Sequence, residues 1–245
     1  MEKQPHIRLF ADLGVKYAVL PGDPGRIDRI KEHLENAREL EYNREYRSAV
    51  GTYNGVPILA LSTGIGGASM GIAAEELHNI GVTHAIRIGS TGSYQKEIKI
   101  GEIIVANGAV RDDGASAAYI EKSFPAVPDT ALMNACIAAA GELGCGCRVG
   151  VVRSHDSFYT DRENDICAHW SRYGVLGADL ETAALFVVGA YRGLKTASIL
   201  NNVVEYLADA ADAIGDYVDG DTLAAEGERN EILIALKALA SIERG

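Results

Sequence analysis

Tyr17-Ala18-Val19-Leu20-Pro21-Gly22-Asp23-Pro24-Gly25-Arg26-Ile27 is the stretch that decides the fold. An apolar, β-rich run stops at a turn made of Pro, Gly and Asp. A helical pattern with Ile27, Ile30 and Leu34 takes over behind it. A strand handed to a helix across a tight turn is the unit from which α/β sheets are built. The pattern recurs along the chain. It predicts strands over Tyr17–Leu20, Arg38–Ser48, Val56–Thr63, Ala85–Ser90, Glu102–Ala109, Val149–Ser154, Val175–Asp179 and Thr196–Asn201. It predicts helices over Pro24–Leu34, Gly67–Ile80, Thr130–Leu143, Glu181–Arg192 and Asp221–Ile242. Asn54-Gly55 between two strand-like runs signals a hairpin. The weakly patterned Tyr206–Gly220 reads as a mobile loop, either a lid or a plain surface loop. With no linker or repeat in view, residues 1–245 are expected to form one domain.

Composition narrows the function. The chain has 245 residues, 47% of them apolar, enough for a full core without stapling. A net charge of −11 argues against a polyanion partner, so no nucleic acid is expected. No run of eighteen apolar residues suggests a membrane span, and Met1–His6 lacks a secretion signal's apolar stretch. The expectation is a cytoplasmic protein. Cys136, Cys145, Cys147 and Cys167 then read as reduced thiols, since C-x-C with no histidine nearby is a poor zinc site.

Against this acidic background, three arginines sit in short turn or strand-end motifs. Arg26 follows Gly22-Asp23-Pro24-Gly25, Arg44 lies in Tyr42-Asn43-Arg44-Glu45-Tyr46, and Arg87 opens Arg87-Ile88-Gly89-Ser90-Thr91-Gly92. Gly22 allows a ligand close to the backbone, and helix-start amides beside a guanidinium suit a small anion. A tight turn with a solvated arginine fits the first motif equally well. For Arg87 the bland alternative is pairing with a core carboxylate. Gly64-Ile65-Gly66-Gly67-Ala68-Ser69 falls short of a dinucleotide fingerprint because Ser69 stands where the third glycine belongs. Asp179 and Glu181 lie two apart at a strand end, on one face in extended geometry. Ionised carboxylates there suit vicinal sugar hydroxyls, although Glu181 also fits a helix-start charge.

Taken in order, these motifs, together with Val110-Arg111-Asp112-Asp113-Gly114 and Asp156-Ser157-Phe158-Tyr159, resemble the nucleoside phosphorylase superfamily of uridine phosphorylases and hexameric purine nucleoside phosphorylases. Arg111–Gly114 and Phe124–Val127 are more similar to the uridine branch. The resemblance implies a central mixed, twisted β-sheet, partly barrel-like, flanked by α-helices. It implies phosphate binding by Gly22, Arg26, Arg87 and Ser90, with Arg44 reaching in from a neighbouring subunit. His6 would cross over likewise to the ribose, beside Leu180 and Glu181, and Arg87 and Glu181 would carry catalysis. Phe158, Arg162, Asn164, Asn201 and Asn202 are the base-binding candidates. Glu45, Ile65 and Ser69 match positions that hold potassium between subunits in some relatives. No other cofactor is implied, inorganic phosphate being a co-substrate, and the implied assembly is a hexamer, a trimer of dimers. Two departures stand out: Asp179 replaces a glutamate, and Arg162 and Asn164 replace the uracil-reading glutamine and arginine. Leu200-Asn201-Asn202-Val203-Val204 lacks the purine branch's catalytic aspartate. The alternatives are a purine enzyme with an atypical base pocket, a water-using nucleosidase, which the retained arginines oppose, and a non-catalytic nucleoside-binding protein.

Overall fold

The computed structural model describes residues 3–208, 213 and 222–244. Within them, strand β1 (Tyr17–Pro21), buried along its whole length, lies inside a nine-stranded mixed sheet. The other strands are β2 (Glu35–Asn43), β3 (Tyr46–Tyr53), β4 (Val56–Leu61), β5 (His84–Ser93), β6 (Ile103–Asp112), β7 (Arg148–His155), β8 (Gly177–Asp179) and β9 (Lys195–Val204). They run in the order β2-β3-β4-β1-β5-β8-β7-β6-β9, and β9 also pairs with β5. The last five strands therefore close on one another, and β1 to β4 extend the sheet away from the closed part. This is the partly barrel-like sheet the resemblance implied.

The helices are α1 (Arg26–Lys31), α2 (Gly67–Asn79), α3 (Gly114–Tyr119), α4 (Thr130–Leu143), α5 (Glu163–Ser171), α6 (Thr182–Arg192) and α7 (Thr222–Arg244). One core cluster joins Ile27, Ile58, Ile86 and Ile199 of the sheet and α1 to Leu132 and Leu239 of α4 and α7. A second packs Leu20 and Leu59 against Met70 and Leu77 of α2 and Leu185 of α6. Helices thus cover the sheet on both faces, as its apolar strands require.

Four sequence expectations need correction. The strand expected over Arg38–Ser48 is two, β2 and β3, reversing at Arg44 with φ +56°. β-rich residues on both sides of so short a reversal read as one strand. Helix α1 begins at Arg26, not Pro24, because the Asp23 carboxylate accepts the Gly25 N–H at 2.8 Å and holds a turn ahead of it. Helices α3 and α5 were absent from the sequence reading. The first is short and opens on glycine, and in the second only Cys167 is buried, so neither carries an apolar stripe. By contrast the Asn54-Gly55 signal is met: φ is +52° and +82°, and Tyr53 pairs antiparallel with Val56. Of the expected loop Tyr206–Gly220, residues 209–212 and 214–220 lie outside the described residues.

Arg111, read above as a branch marker, is structural. Its buried guanidinium donates to the carbonyls of Ser116 at 2.9 Å, Ile120 at 2.6 Å, Glu121 at 2.6 Å and Phe124 at 2.5 Å. It pins the chain after α3 to the barrel wall. Arg111→Met should lower stability by about 3 kcal/mol, because buried carbonyls lose a charged donor. Chemical denaturation measures this, and an unshifted midpoint would refute the role.

Candidate active site

In open α/β sheets, ligands gather where strands end and helices begin. Here the ends of β1, β5, β8 and β9 and the turn after β4 open on one cavity of about 1420 Å³. Gly22, Arg26, Arg87, Ser90, Phe158, Asn164, Leu180 and Glu181 all line it, and Glu45 and Ile65 stand in its wall. Residues far apart in sequence thus meet around one space.

Arg87 is 3% exposed and pairs with both carboxylates the sequence singled out. Its Nε donates to Asp179 at 2.9 Å, and its Nη2 lies 2.5 Å from Glu181. The guanidinium folds back over Gly89, where an added Cβ would come within 2.6 Å of Nη2. Only glycine leaves that room. The arginine–carboxylate pairing first posed as the bland alternative is therefore present, and it is present inside the cavity.

Asp179 stands where the resemblance implied a glutamate, and it is held on several sides. Besides Arg87, it accepts from the Ser154 hydroxyl at 2.6 Å, the Thr182 amide at 3.0 Å and the Thr182 hydroxyl at 2.5 Å. The shorter side chain anchors Arg87 to the start of α6. Glu181 reaches the other way and accepts the Gly66 amide at 2.5 Å. Burial raises its carboxyl above the ordinary range, and Arg87 opposes that rise.

Arg26 is equally enclosed. Its Nη1 donates to Glu231 at 2.9 Å, its Nε lies 3.1 Å from Glu228, and its Nη2 faces the Ser90 hydroxyl at 3.5 Å. Glu228 and Glu231 escaped the sequence reading. Their signal was legible: two carboxylates lie within the apolar stripe of an amphipathic helix, where charge is rare unless paired. His155 and Tyr94 were missed too. Burial and Arg153 lower the His155 pKa, favouring a neutral ring. Tyr94 donates to Glu163 at 3.0 Å and accepts from Arg153 at 2.9 Å.

Other expected residues stand outside the lining. Asn201 and Asn202 are fully buried in β9, and the Asn201 amide donates to the Ala224 carbonyl at 2.8 Å, so they do not face the cavity. Arg162 is exposed at the start of α5 and lines a separate depression with Asp165 and Trp170. His6 is bound to α2, its Nδ1 2.6 Å from Glu76, and Arg44 is exposed at the β2–β3 reversal. The Ser69 hydroxyl donates to the Gly66 carbonyl at 3.1 Å. Among the described residues no cluster of three His, Cys, Asp or Glu side chains suited to a metal occurs, and no helix is long and apolar enough to cross a membrane.

Asp179→Ala strips Arg87 of one carboxylate and leaves the Thr182 and Ser154 hydroxyls without their acceptor. Breaking a buried pair from one side costs about 3–5 kcal/mol. Thermal and denaturant unfolding should both record that loss, and a change under 1 kcal/mol would show the pair to be solvated.

The sequence model of the family described as the Phosphorylase superfamily matches residues 16–236. The uridine phosphorylase of Thermococcus kodakarensis is 48% identical over 156 residues, which are 64% of this chain and 56% of that relative. The guanosine phosphorylase of Halorubrum lacusprofundi is 34% identical over 81% of this chain and 82% of its own. Among solved structures, uridine phosphorylase from Vibrio fischeri superposes with a TM-score of 0.91 at 46% identity, covering 98% of both chains.

Proposed function

The chain belongs to the phosphorylase superfamily, and on that premise we propose that it catalyses reversible phosphorolysis of a nucleoside. Nucleoside and phosphate give free base and ribose 1-phosphate. The reading rests on one observation: Arg26, Arg87 and Ser90 converge on the cavity that also holds Leu180 and Glu181. Guanidinium groups and a hydroxyl suit the anion, and a carboxylate suits the sugar's hydroxyls.

In this mechanism the C–N glycosidic bond breaks as a phosphate oxygen bonds to the anomeric carbon. The sugar passes through an oxocarbenium-like state, as in glycoside hydrolysis. Gly22, Arg26, Arg87 and Ser90 hold phosphate against that carbon, and its charge stabilises the developing cation. Glu181 holds the ribose hydroxyls, with Leu180 under the ring. The departing base carries the bonding electron pair and is protonated on release. Phe158 packs near base and sugar, and Asn164 offers an amide toward the base.

Arg44 of the partner subunit and the partner subunit's His6 complete the phosphate and ribose sites in this reading. The exposed position of Arg44, at a backbone φ that side chains rarely adopt, supports a role beyond its own cavity. A hexamer, built as a trimer of dimers and working in the cytoplasm, is the assembly proposed. Glu45, Ile65 and Ser69 offer oxygens near one edge of the cavity, the donor type a hard cation takes. They would hold a structural potassium between subunits, and no step of the reaction runs through it.

Uridine is the first substrate expected, on the Thermococcus and Vibrio relatives. A purine nucleoside is the second reading, favoured by the Halorubrum relative and by Arg162 and Asn164 in place of a uracil-reading pair. Incubating the protein with uridine, inosine, guanosine, cytidine and adenosine, with and without phosphate, decides between them. Cleavage without phosphate would overturn the phosphorylase reading, and no cleavage at all would favour a binding protein.

Arg87→Ala should lower kcat/KM by roughly 2–4 kcal/mol of barrier, as for a lost oxyanion donor. Steady-state kinetics against varied phosphate test this, and unaltered phosphate dependence removes Arg87 from the site. Sedimentation tests the shared site independently: a fully active monomer contradicts Arg44 acting in trans.

A further inference from the structure

The two arginines that face the phosphate position are wrapped in carboxylates. Arg87 touches Asp179 and Glu181, and Arg26 touches Glu228 and Glu231. With all four ionised, two positive charges meet four negative ones, and an anion is to dock beside them. Arg29 adds a positive charge at Glu228 but is itself paired with Asp23, so the excess of negative charge stays. One carboxylate is set apart by its position. Glu231 is fully buried, lies behind Arg26 and outside the cavity lining, and is held at both oxygens. Its Oε1 accepts Arg26 Nη1 at 2.9 Å, and its Oε2 accepts the Gly89 amide at 3.0 Å. Gly89 is the residue over which Arg87 folds.

We propose that Glu231 is the positioning residue of the phosphate site, tying Arg26 to the Arg87–Ser90 strand and favouring phosphate when neutral. The inference rests on the phosphorolysis reading above. As a strut from α7 it fixes the Arg26 fork so that Nη2 points toward Ser90. As a titrating group it decides whether the site has room for another negative charge. The charged groups around it are Arg26, Glu228 on its own helix, and Arg87 on β5. Burial is the largest cause and pushes its carboxyl up to about 8, with Glu228 adding to the rise and the two arginines opposing it. The sign follows. Below that value the carboxyl is neutral and phosphate meets two less encumbered guanidinium groups. Above it, an added buried charge repels the anion and phosphate binds less well.

Two variants separate strut from charge. Glu231→Ala removes the strut. It should raise the KM for phosphate about tenfold below pH 8, the worth of one hydrogen bond to a charged group, with kcat at saturating phosphate and nucleoside KM little changed, and the difference should narrow above pH 8 as the wild-type KM itself rises. Glu231→Gln stays neutral and keeps one of the two acceptors, its amide NH2 facing the other donor. At pH 7 its phosphate KM should fall between those of wild type and Glu231→Ala, and it should lack the rise expected of wild type above pH 8, with phosphate's own ionisation common to both proteins. Circular dichroism and unfolding midpoints check that each variant is folded, and Glu231→Gln alone carries the test should the alanine form unfold. An unchanged phosphate KM in folded Glu231→Ala, or an alkaline rise kept in Glu231→Gln, overturns the proposal. Phosphate-independent cleavage by wild type overturns the phosphorolysis reading instead, so the two failures are distinct.

Discussion

A guanidinium buried between two carboxylates is the constraint on which this molecule turns. Arg87 sits on β5, the strand that pairs with β1, β8 and β9 and so joins the open and closed parts of the sheet. Removing such a charge from water is expensive and is offset only when every partner is in place. Asp179 supplies one partner from the end of β8, and Glu181 supplies the other at the start of α6. The ion cluster therefore holds the barrel, the α6 start and the Gly66 turn in one register. A phosphate or sugar site formed from those elements inherits its geometry from the core.

Carboxylates around arginines seem at first to oppose anion binding. Their benefit is order. A free arginine carries several rotatable bonds, and aiming it during the reaction would cost entropy each time. Held by Asp179 or Glu231, the fork is already aimed, and an arginine's five donors leave some for a ligand. Donors fixed before the charge develops are the ones that lower a barrier most. The cost appears as a carboxyl group whose ionisation is pushed upward by burial, as at Glu181 and Glu231.

What was legible in the sequence follows from these physical demands. Apolar runs ended by glycine-rich turns had to be strands feeding helices, so the sheet, most of its strands and the arginine-bearing turns could be read in advance. Of the residues that gather in the cavity, Gly22, Arg26, Arg87 and Ser90 were named from local motifs whose backbone amides and charges serve an anion, and Glu181 from a carboxylate suited to sugar hydroxyls, whereas Glu45, Ile65, Phe158, Asn164 and Leu180 owed their roles to family resemblance alone. Glu228 and Glu231 were passed over because acidic residues on an amphipathic helix normally face water, although their spacing sets them in the buried stripe with Ala224 and Ala235. Asn201 and Asn202 were misjudged for the converse reason. Their amides suit a base, but both are fully buried within β9, and the Asn201 amide is spent on the Ala224 carbonyl of α7. The barrel closure itself was visible only through family resemblance, because pairing of β5 with β9 joins residues more than a hundred positions apart.

The same logic explains why the nucleophile is easier to read than the base. Phosphate is charged, so it demands arginines and amides at fixed places, and those leave a pattern. The far end of the cavity presents Tyr94, His155, Phe158, Glu163, Asn164 and Val204. There the Tyr94 hydroxyl is locked between Arg153 and Glu163, and burial favours a neutral His155. What remains to meet a base is an amide, an imidazole, aromatic surface and the second carboxylate oxygen of Glu163, which is buried without a hydrogen-bond partner. A neutral heterocycle is read by shape and by single hydrogen bonds, for which many residue sets serve equally. Sequences can therefore stay similar while their bases differ, as with the uridine and guanosine phosphorylases that both resemble this chain.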